Sequence, residues 1–241
     1  QDRFQYVKVG NLLSSPCVVN AGAPQGTRAG PDDFRLIIND LLFSLPCVKY
    51  VDDVTVASVS RDSSDNRLQE AVDYLMHWCT DNGMRLNIAK TKEMIVHFGR
   101  RELSNAVPML SIRASNVERV TTFKLLGVFF SSDLSWSAHI SYILKKSAKR
   151  LYVVYQLVRA GINTRDIVSV YCSLIRSILE YACPVWHAGL TVAQSNDLES
   201  VQKRVLRIIF PGLSYNEALV FSGLERLSMR RERLVYTKII Q

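Results

Sequence analysis

Apolar residues follow two regimes along the chain: short runs and alternations up to about residue 135, then helical spacing to the end. Near the start, "FQYVKV" (4–9) and "PCVVN" (16–20) flank "GNLLSS", which predicts a hairpin or a pair of extended segments. Next, Gly30-Pro31 predicts a helix start, because proline is tolerated at the first helical position and Asp32 and Asp33 suit the positive end of the helix dipole. Phe34, Ile37, Ile38, Leu41, Leu42 and Leu45 recur at helical spacing and would form its buried face. "CVKYV" and "VTVASV" then read as a hairpin joined at Asp52-Asp53. From about Asp65 to Asn82, Leu68, Ala71, Val72, Leu75, Met76 and Cys79 mark an amphipathic helix with Gly83 as its C-cap.

After that helix, "MRLNIAKTKEMIVHFG" predicts a short strand, a polar turn and the strand "EMIVHF". The β-branched and aromatic "VTTFKLLGVFFSSDLSW" closes the mixed region. From Ser137 the pattern is helical. One helix ends at Gly161, another starts at an Asn163/Thr164 cap and reaches Pro184, a third stops at Pro211-Gly212, and "RLSMRRERLVYTKII" closes the chain. The expectation is an α+β region, 1–135, followed by an all-helical region, 136–241, with no internal repeat.

Composition narrows the class. With 241 residues and 48% hydrophobic content the chain can bury a real core. No stretch approaches the roughly 18 consecutive apolar residues of a membrane span, and the opening residues lack a signal peptide's apolar core, so a soluble intracellular protein without a membrane partner is expected. The first residue is Gln, which suggests a piece of something longer. Five cysteines at scattered spacings predict reduced, mostly buried thiols and no zinc site. The net charge of +8 is uneven: residues 1–120 hold 14 basic and 14 acidic side chains, residues 121–241 hold 16 and 8. A polyanionic partner would suit the second half, although a solvated basic surface gives the same count.

The chemistry concentrates at "KYVDDVTV" (49–56). Adjacent carboxylates repel unless something positive holds them, and a hard divalent cation takes oxygen ligands from one or two carboxylates plus substrate phosphates. Acidic turns are common, so the pair alone is a weak sign. "GAPQGT" (22–27), about 25 residues earlier, adds two glycines, a proline and a side-chain amide before a helix start, where backbone can approach a ligand and free N–H groups can meet phosphate.

The succession "GAPQGT", "GP", "LIINDL", "KYVDD", "LNIAKTKEMIV" and "FKLLGV", continued by "LEYACPVWH" and "DLESVQKRVLRIIF", resembles the motif order of reverse transcriptases encoded by non-LTR (LINE-type) retrotransposons. The resemblance covers nearly the whole chain. It implies a partial polymerase palm, an antiparallel sheet with packed helices, over 1–135, and a helical thumb and C-terminal extension over 136–241. Asp52 and Asp53 match the metal-binding YxDD pair, with Asp52 as the direct ligand, and Mg²⁺ (or Mn²⁺) as the implied ion. Tyr50 and Val51 match residues lining the primer terminus and nucleotide pocket, and Pro24, Gln25 and Gly26 the segment meeting nucleotide and template. Lys90 matches a lysine assisting pyrophosphate departure, and Leu126 and Gly127 the turn gripping the primer. Lys145, Lys146, Lys149 and Arg150, with Lys203, Arg204 and Arg207, fall where nucleic-acid backbone contacts are expected.

The implied partners are an RNA template, a DNA primer, deoxynucleoside triphosphates and the parent's upstream fingers and endonuclease regions; the parent element would work in nucleus and cytoplasm. There are departures. The family's further palm aspartate precedes the first motif, where this sequence offers only Asp2 outside any apolar strand, and Arg28-Ala29 and Asp32-Asp33 stand where relatives carry apolar or bulky residues. The expectation is therefore a polymerase fragment with little activity of its own. A non-catalytic nucleic-acid-binding remnant and an inert retroelement fragment are the alternatives.

Overall fold

The computed structural model describes residues 4–19, 29–60, 65–98 and 107–239. The chain divides into two compact units, Gln1–Thr91 with Leu103–Glu118, and Lys92–Glu102 with Arg119–Gln241.

In the first unit, β1 (Phe4–Gln5) pairs antiparallel with β4 (Cys17–Val18), and between them β2 (Lys8–Val9) pairs with β3 (Leu12–Leu13). The predicted N-terminal hairpin is thus a nested one, turning at Gly10 with φ +60°. Helix α1 (Ala29–Asn39) starts two residues before the proline predicted to open it and stops short of Leu41, Leu42 and Leu45. Two tertiary contacts end it. Lys49 Nζ donates to the carbonyl oxygens of Ile38 (2.8 Å), Leu41 (2.9 Å) and Asn39 (3.5 Å), and Asp40 accepts from Trp78 Nε1 at 3.1 Å. A lysine on the last carbonyls also suits the negative end of the dipole.

The hairpin β5 (Cys47–Tyr50) and β6 (Asp53–Val56) follows, then α2 (Arg67–Asp81), with Gly83 at φ +64° beyond its end as expected. Ile38, Leu41, Trp78 and Cys79 form the core of this unit, with Phe34, Val54 and Leu75 packed on it. Gln69 of α2 exchanges two 2.9 Å hydrogen bonds with the backbone of Ser111.

The segment after α2 is less regular than its apolar content predicts. It holds a turn at 87–91 and the two-residue β7 (Lys92–Glu93); β8 (Ser111–Ile112) and β9 (Ser115–Asn116) form a small hairpin, and β10 (Glu118–Arg119) follows. The described strands make separate two-stranded ladders rather than one sheet. Such isolated ladders are marginal by themselves and depend on packing against helices.

In the second unit, Arg119 Nε meets Glu93 Oε2 at 2.9 Å in a largely buried ion pair. The hairpin β11 (Thr122–Leu125) and β12 (Val128–Ser131) leads into α3 (Ser137–Arg159). Asn163 caps α4 (Thr164–Tyr171) by accepting from Arg165 N–H, and a π-helical turn, Cys172–Arg176, carries the chain into α5 (Ser177–Glu180). The predicted continuous helix breaks at Ala182, left-handed at φ 52°, before α6 (Cys183–Trp186). Helix α7 (Val192–Ile209) begins with a capping box between Thr191 and Gln194, and α8 (Tyr215–Ser222) with one between Ser214 and Glu217. Helix α9 (Leu227–Ile239) ends the fold.

Thr164–Gly189 is a helical run long and apolar enough, by length and composition alone, to cross a membrane. Its Ile167, Tyr171, Ile175, Leu179 and Trp186 are instead buried with Val154, Leu198 and Val205 in the helical core. All five cysteines are free thiols, but only Cys79 and Cys183 are buried; Cys47 and Cys172 are half-buried and Cys17 is exposed, fewer than expected.

Candidate functional site

Register fixes the acidic pair. Tyr50 faces Asp53, Lys49 faces Val54, Val48 faces Thr55 and Cys47 faces Val56. The two-residue loop is therefore Val51-Asp52, one position earlier than the sequence predicts, and Asp53 opens β6. The price is at Val51, held at φ 52°. A β-branched residue is a genuine outlier there, and such strain persists only where surroundings impose it.

Alternation divides the hairpin into two faces. Cys47, Lys49, Val54 and Val56 are half-buried, while Val48, Tyr50, Asp53 and Thr55 are exposed, as are Val51 and Asp52 at the tip. Val54 packs on the α1 and α2 core, and Lys49 is anchored on the end of α1. The nearest cation in sequence is thus committed to carbonyls on the covered side. Among the described residues, no ion pair neutralises Asp52 or Asp53.

Two adjacent, solvent-facing carboxylates with uncompensated charge fit a hard cation that shares its remaining ligands with substrate phosphates. No group of three or more His, Cys, Asp or Glu side chains gathers among the described residues, so among them this pair supplies the carboxylates for a metal at the tip. Lys90 sits on the turn after α2, its N–H donating to Asn87 Oδ1 at 3.1 Å and its side chain exposed. Pro24, Gln25 and Gly26 lie outside the described residues.

The second hairpin turns at Leu126 (φ 47°) and Gly127 (φ 87°). Positive φ at both central residues belongs to the tight turn that matches strand twist. Tyr181, which the periodicity does not single out, clasps this turn. Its hydroxyl donates to Leu126 O at 2.8 Å, and a Cβ at Gly127 would stand 3.0 Å from its ring. Trp186 Nε1 in turn donates to Tyr181 O at 2.9 Å, tying the clasp to the buried core. Nearby, Lys124 donates to the Tyr142 hydroxyl at 3.1 Å, which pulls the Tyr142 pKa below its ordinary value.

The basic helices divide by use. Lys145, Lys146 and Lys149 are exposed on α3, with Lys146 also 5.8 Å from the Tyr142 ring centre. Arg150 differs: Nη1 donates to Leu174 O at 2.6 Å, within the π-helical turn, so this guanidinium is partly committed to the fold. Lys203, Arg204 and Arg207 are exposed on α7.

Beneath them lies a buried network that no spacing rule signals. Tyr171 donates to Gln202 Oε1 at 2.6 Å, and Gln202 Nε2 donates to Tyr215 Oη and Glu225 O, each at 2.9 Å. Tyr215 donates to Glu199, whose carboxylate also accepts from Leu227 and Ser228 N–H at the start of α9, each at 3.2 Å. Burial and the Glu199 carboxylate push the Tyr215 phenol well above its usual range.

The family profile described as reverse transcriptase (RNA-dependent DNA polymerase) matches residues 4–130, which include the acidic hairpin and all but the last residue of the second. Among curated relatives, the chain is 25% identical over 232 residues to the probable RNA-directed DNA polymerase from transposon BS of Drosophila melanogaster, covering 87% of this chain and 24% of the relative. It is 24% identical over 225 residues to the RNA-directed DNA polymerase from mobile element jockey of the same species, with the same coverages. To the retrovirus-related Pol polyprotein from type-1 retrotransposable element R1 of Bradysia coprophila it is 23% identical over 189 residues, covering 75% of this chain and 19% of the relative. The chain thus spans about a quarter or less of the length of these relatives. No solved structure matches. With more than half of its residues matched by the profile, and with relatives that are polymerases of mobile elements, the chain belongs to the reverse transcriptase family, in its non-LTR retrotransposon branch.

Proposed function

We propose that residues 1–135 are part of a polymerase palm and residues 136–241 a helical thumb with a C-terminal extension, serving RNA-templated DNA synthesis from deoxynucleoside triphosphates on a DNA primer. The observation that carries this reading is the tip of the first hairpin, where Asp52 and Asp53 face solvent without a counter-charge among the described residues. Asp52 and Asp53 would hold Mg²⁺, which would supply charge neutralisation for the substrate phosphates in a two-metal nucleotidyl transfer. Tyr50, beside Asp53 on the exposed face, and Val51 present the surface for the primer terminus and nucleotide. Leu126 and Gly127 grip the primer, with Tyr181 as their positioning residue. Lys90 provides a cation for departing pyrophosphate.

Fe²⁺ substituted for Mg²⁺, with peroxide, cleaves a polypeptide near a bound metal. Cleavage centred on the hairpin and lost in the Asp52→Asn, Asp53→Asn double variant is the expected result; no localised cleavage would overturn the metal assignment. With these two carboxylates as the acidic groups at the tip among the described residues, the chain alone is expected to give little primer extension. Robust Mg²⁺-dependent synthesis, abolished by Asp52→Ala, would contradict this.

The excess of basic over acidic side chains in the second half favours a second reading, nucleic-acid binding without catalysis. It predicts salt-sensitive binding that survives Asp52→Ala and weakens when Lys145, Lys146 and Lys149 are neutralised together.

A further inference from the structure

Helices α3 and α7 leave a cleft of about 660 Å³ along their outer faces, within the range of ligand sites. Tyr155, Val158 and Arg159 line it from α3, and Ser200, Lys203, Arg204, Arg207 and Ile208 from α7. Only part of this wall was legible in the sequence, because Tyr155 and Arg159 belong to a different helix from the basic run on α7.

We infer that this cleft binds single-stranded nucleic acid. Three observations converge. First, four cations line the cleft and no carboxylate does. Lys203 and Arg207 stand four residues apart on one helix, where like charges repel. Second, their charge is not spent internally. Arg176, Arg230 and Arg233 of the same unit are ion-paired with Glu180 or Glu225, whereas Arg159, Arg204 and Arg207 have no ion-pair or hydrogen-bond partner among the described residues. Lys203 lies over the Tyr215 ring at 5.4 Å from its centre and stays exposed.

Third, the cations flank an open ring. Tyr155 is 43% exposed, beside Val158 at 36%. A positive groove with an accessible aromatic is how single strands are held without sequence readout: guanidinium groups follow the phosphates and a base stacks on the ring. A duplex keeps its bases inside and would use only the cations. The buried Tyr171, Gln202, Tyr215 and Glu199 network ties the adjoining buried side of α7 to its neighbours, so the cations project from a rigid support.

This inference rests on the reading of the chain as nucleic-acid binding and adds to it a strand class, a stacking residue and Arg159. The test is fluorescence anisotropy of residues 1–241 with a labelled dodecamer as RNA, as DNA of the same sequence, and as a DNA duplex. Single strands should bind about tenfold or more tighter than duplex. Tyr155→Ala should weaken single-strand binding about tenfold while leaving duplex binding unchanged, and Tyr155→Phe should keep it. The Arg204→Ala, Arg207→Ala double variant should lower the salt slope for single strands by about 1.4.

The RNA and DNA arms identify the strand's source, and preference for either supports the inference. Duplex binding as tight as single-strand binding would overturn it. So would unchanged affinity in Tyr155→Ala combined with loss on neutralising Lys145, Lys146 and Lys149, a result that leaves the broader nucleic-acid reading standing. No binding to any of the three probes removes both.

Discussion

The two units are stabilised in different ways. The helical unit buries Trp186, Tyr171, Leu198 and Val205 in one continuous apolar core and ties α4, α7, α8 and α9 together through a hydrogen-bonded polar network. The unit carrying the acidic hairpin has a small core around Ile38, Leu41 and Trp78, and its strands are ladders two to four residues long. Isolated ladders contribute little by themselves, so the hairpin depends on two anchors, Val54 in the core and Lys49 on the end of α1. The carboxylates that invite a cation therefore sit on the less self-sufficient scaffold, and the strained Val51 lies at its tip.

The largest expected effect would break the helical side of this contrast. Trp186→Ala removes a fully buried indole and should cost about 3 to 5 kcal/mol, read as a lowered urea midpoint for the helical signal. An unchanged midpoint would refute the placement of Trp186 at the centre of the core. Glu93→Ala removes the carboxylate that meets Arg119 Nε in a largely buried place and should cost about 3 kcal/mol, whereas Glu93→Gln with Arg119→Gln together should recover part of it. Tyr171→Phe leaves Gln202 Oε1 without its donor and should cost about 1 to 2 kcal/mol. A stabilised Tyr171→Phe variant would remove the network from the account.

On the hairpin side the sign reverses. Val51→Gly relieves positive-φ strain but adds backbone freedom to the unfolded chain, for a net gain of up to about 1 kcal/mol, visible as slower amide exchange across β5 and β6. A loss of protection would mean the valine side chain itself holds the tip.

The smallest effect concerns pH. His139 is fully buried; Nδ1 accepts from Phe129 N–H at 3.4 Å, and burial pulls its pKa below the ordinary 6.5. The folded state favours the neutral ring, so the unfolded chain takes up the proton first. The stability contribution is complete above pH 6.5 and declines as pH falls below it. His139→Phe should flatten that decline in part, since burial also lowers the pKa of His187.

The chain's local grammar was largely readable. Helical spacing located α2, α3 and α7, Asn163 marked the start of α4, and motif order pointed to the family that the profile match establishes. Helix α8 went unpredicted although Ser214 and Glu217 stand at capping-box spacing, a signal that was available. The apolar run through Leu45 suggested a longer α1, and the acidic pair suggested its own turn; both are decided by contacts outside the segment, Lys49 on the helix end and the register across to β6.

What the sequence determined by itself is whatever repeats within a few residues: periodicity, caps, turn residues and the order of motifs. What only the tertiary structure decided joins residues far apart in the chain. Tyr181 reaches Leu126 across 55 positions and Tyr171 reaches Gln202 across 31, while Tyr155 and Arg159 meet Arg204 and Arg207 only because α3 packs against α7. The physical reason is that helical and strand periods are set by backbone geometry, whereas the partner of a particular hydroxyl or guanidinium is set by where packing brings the chain back.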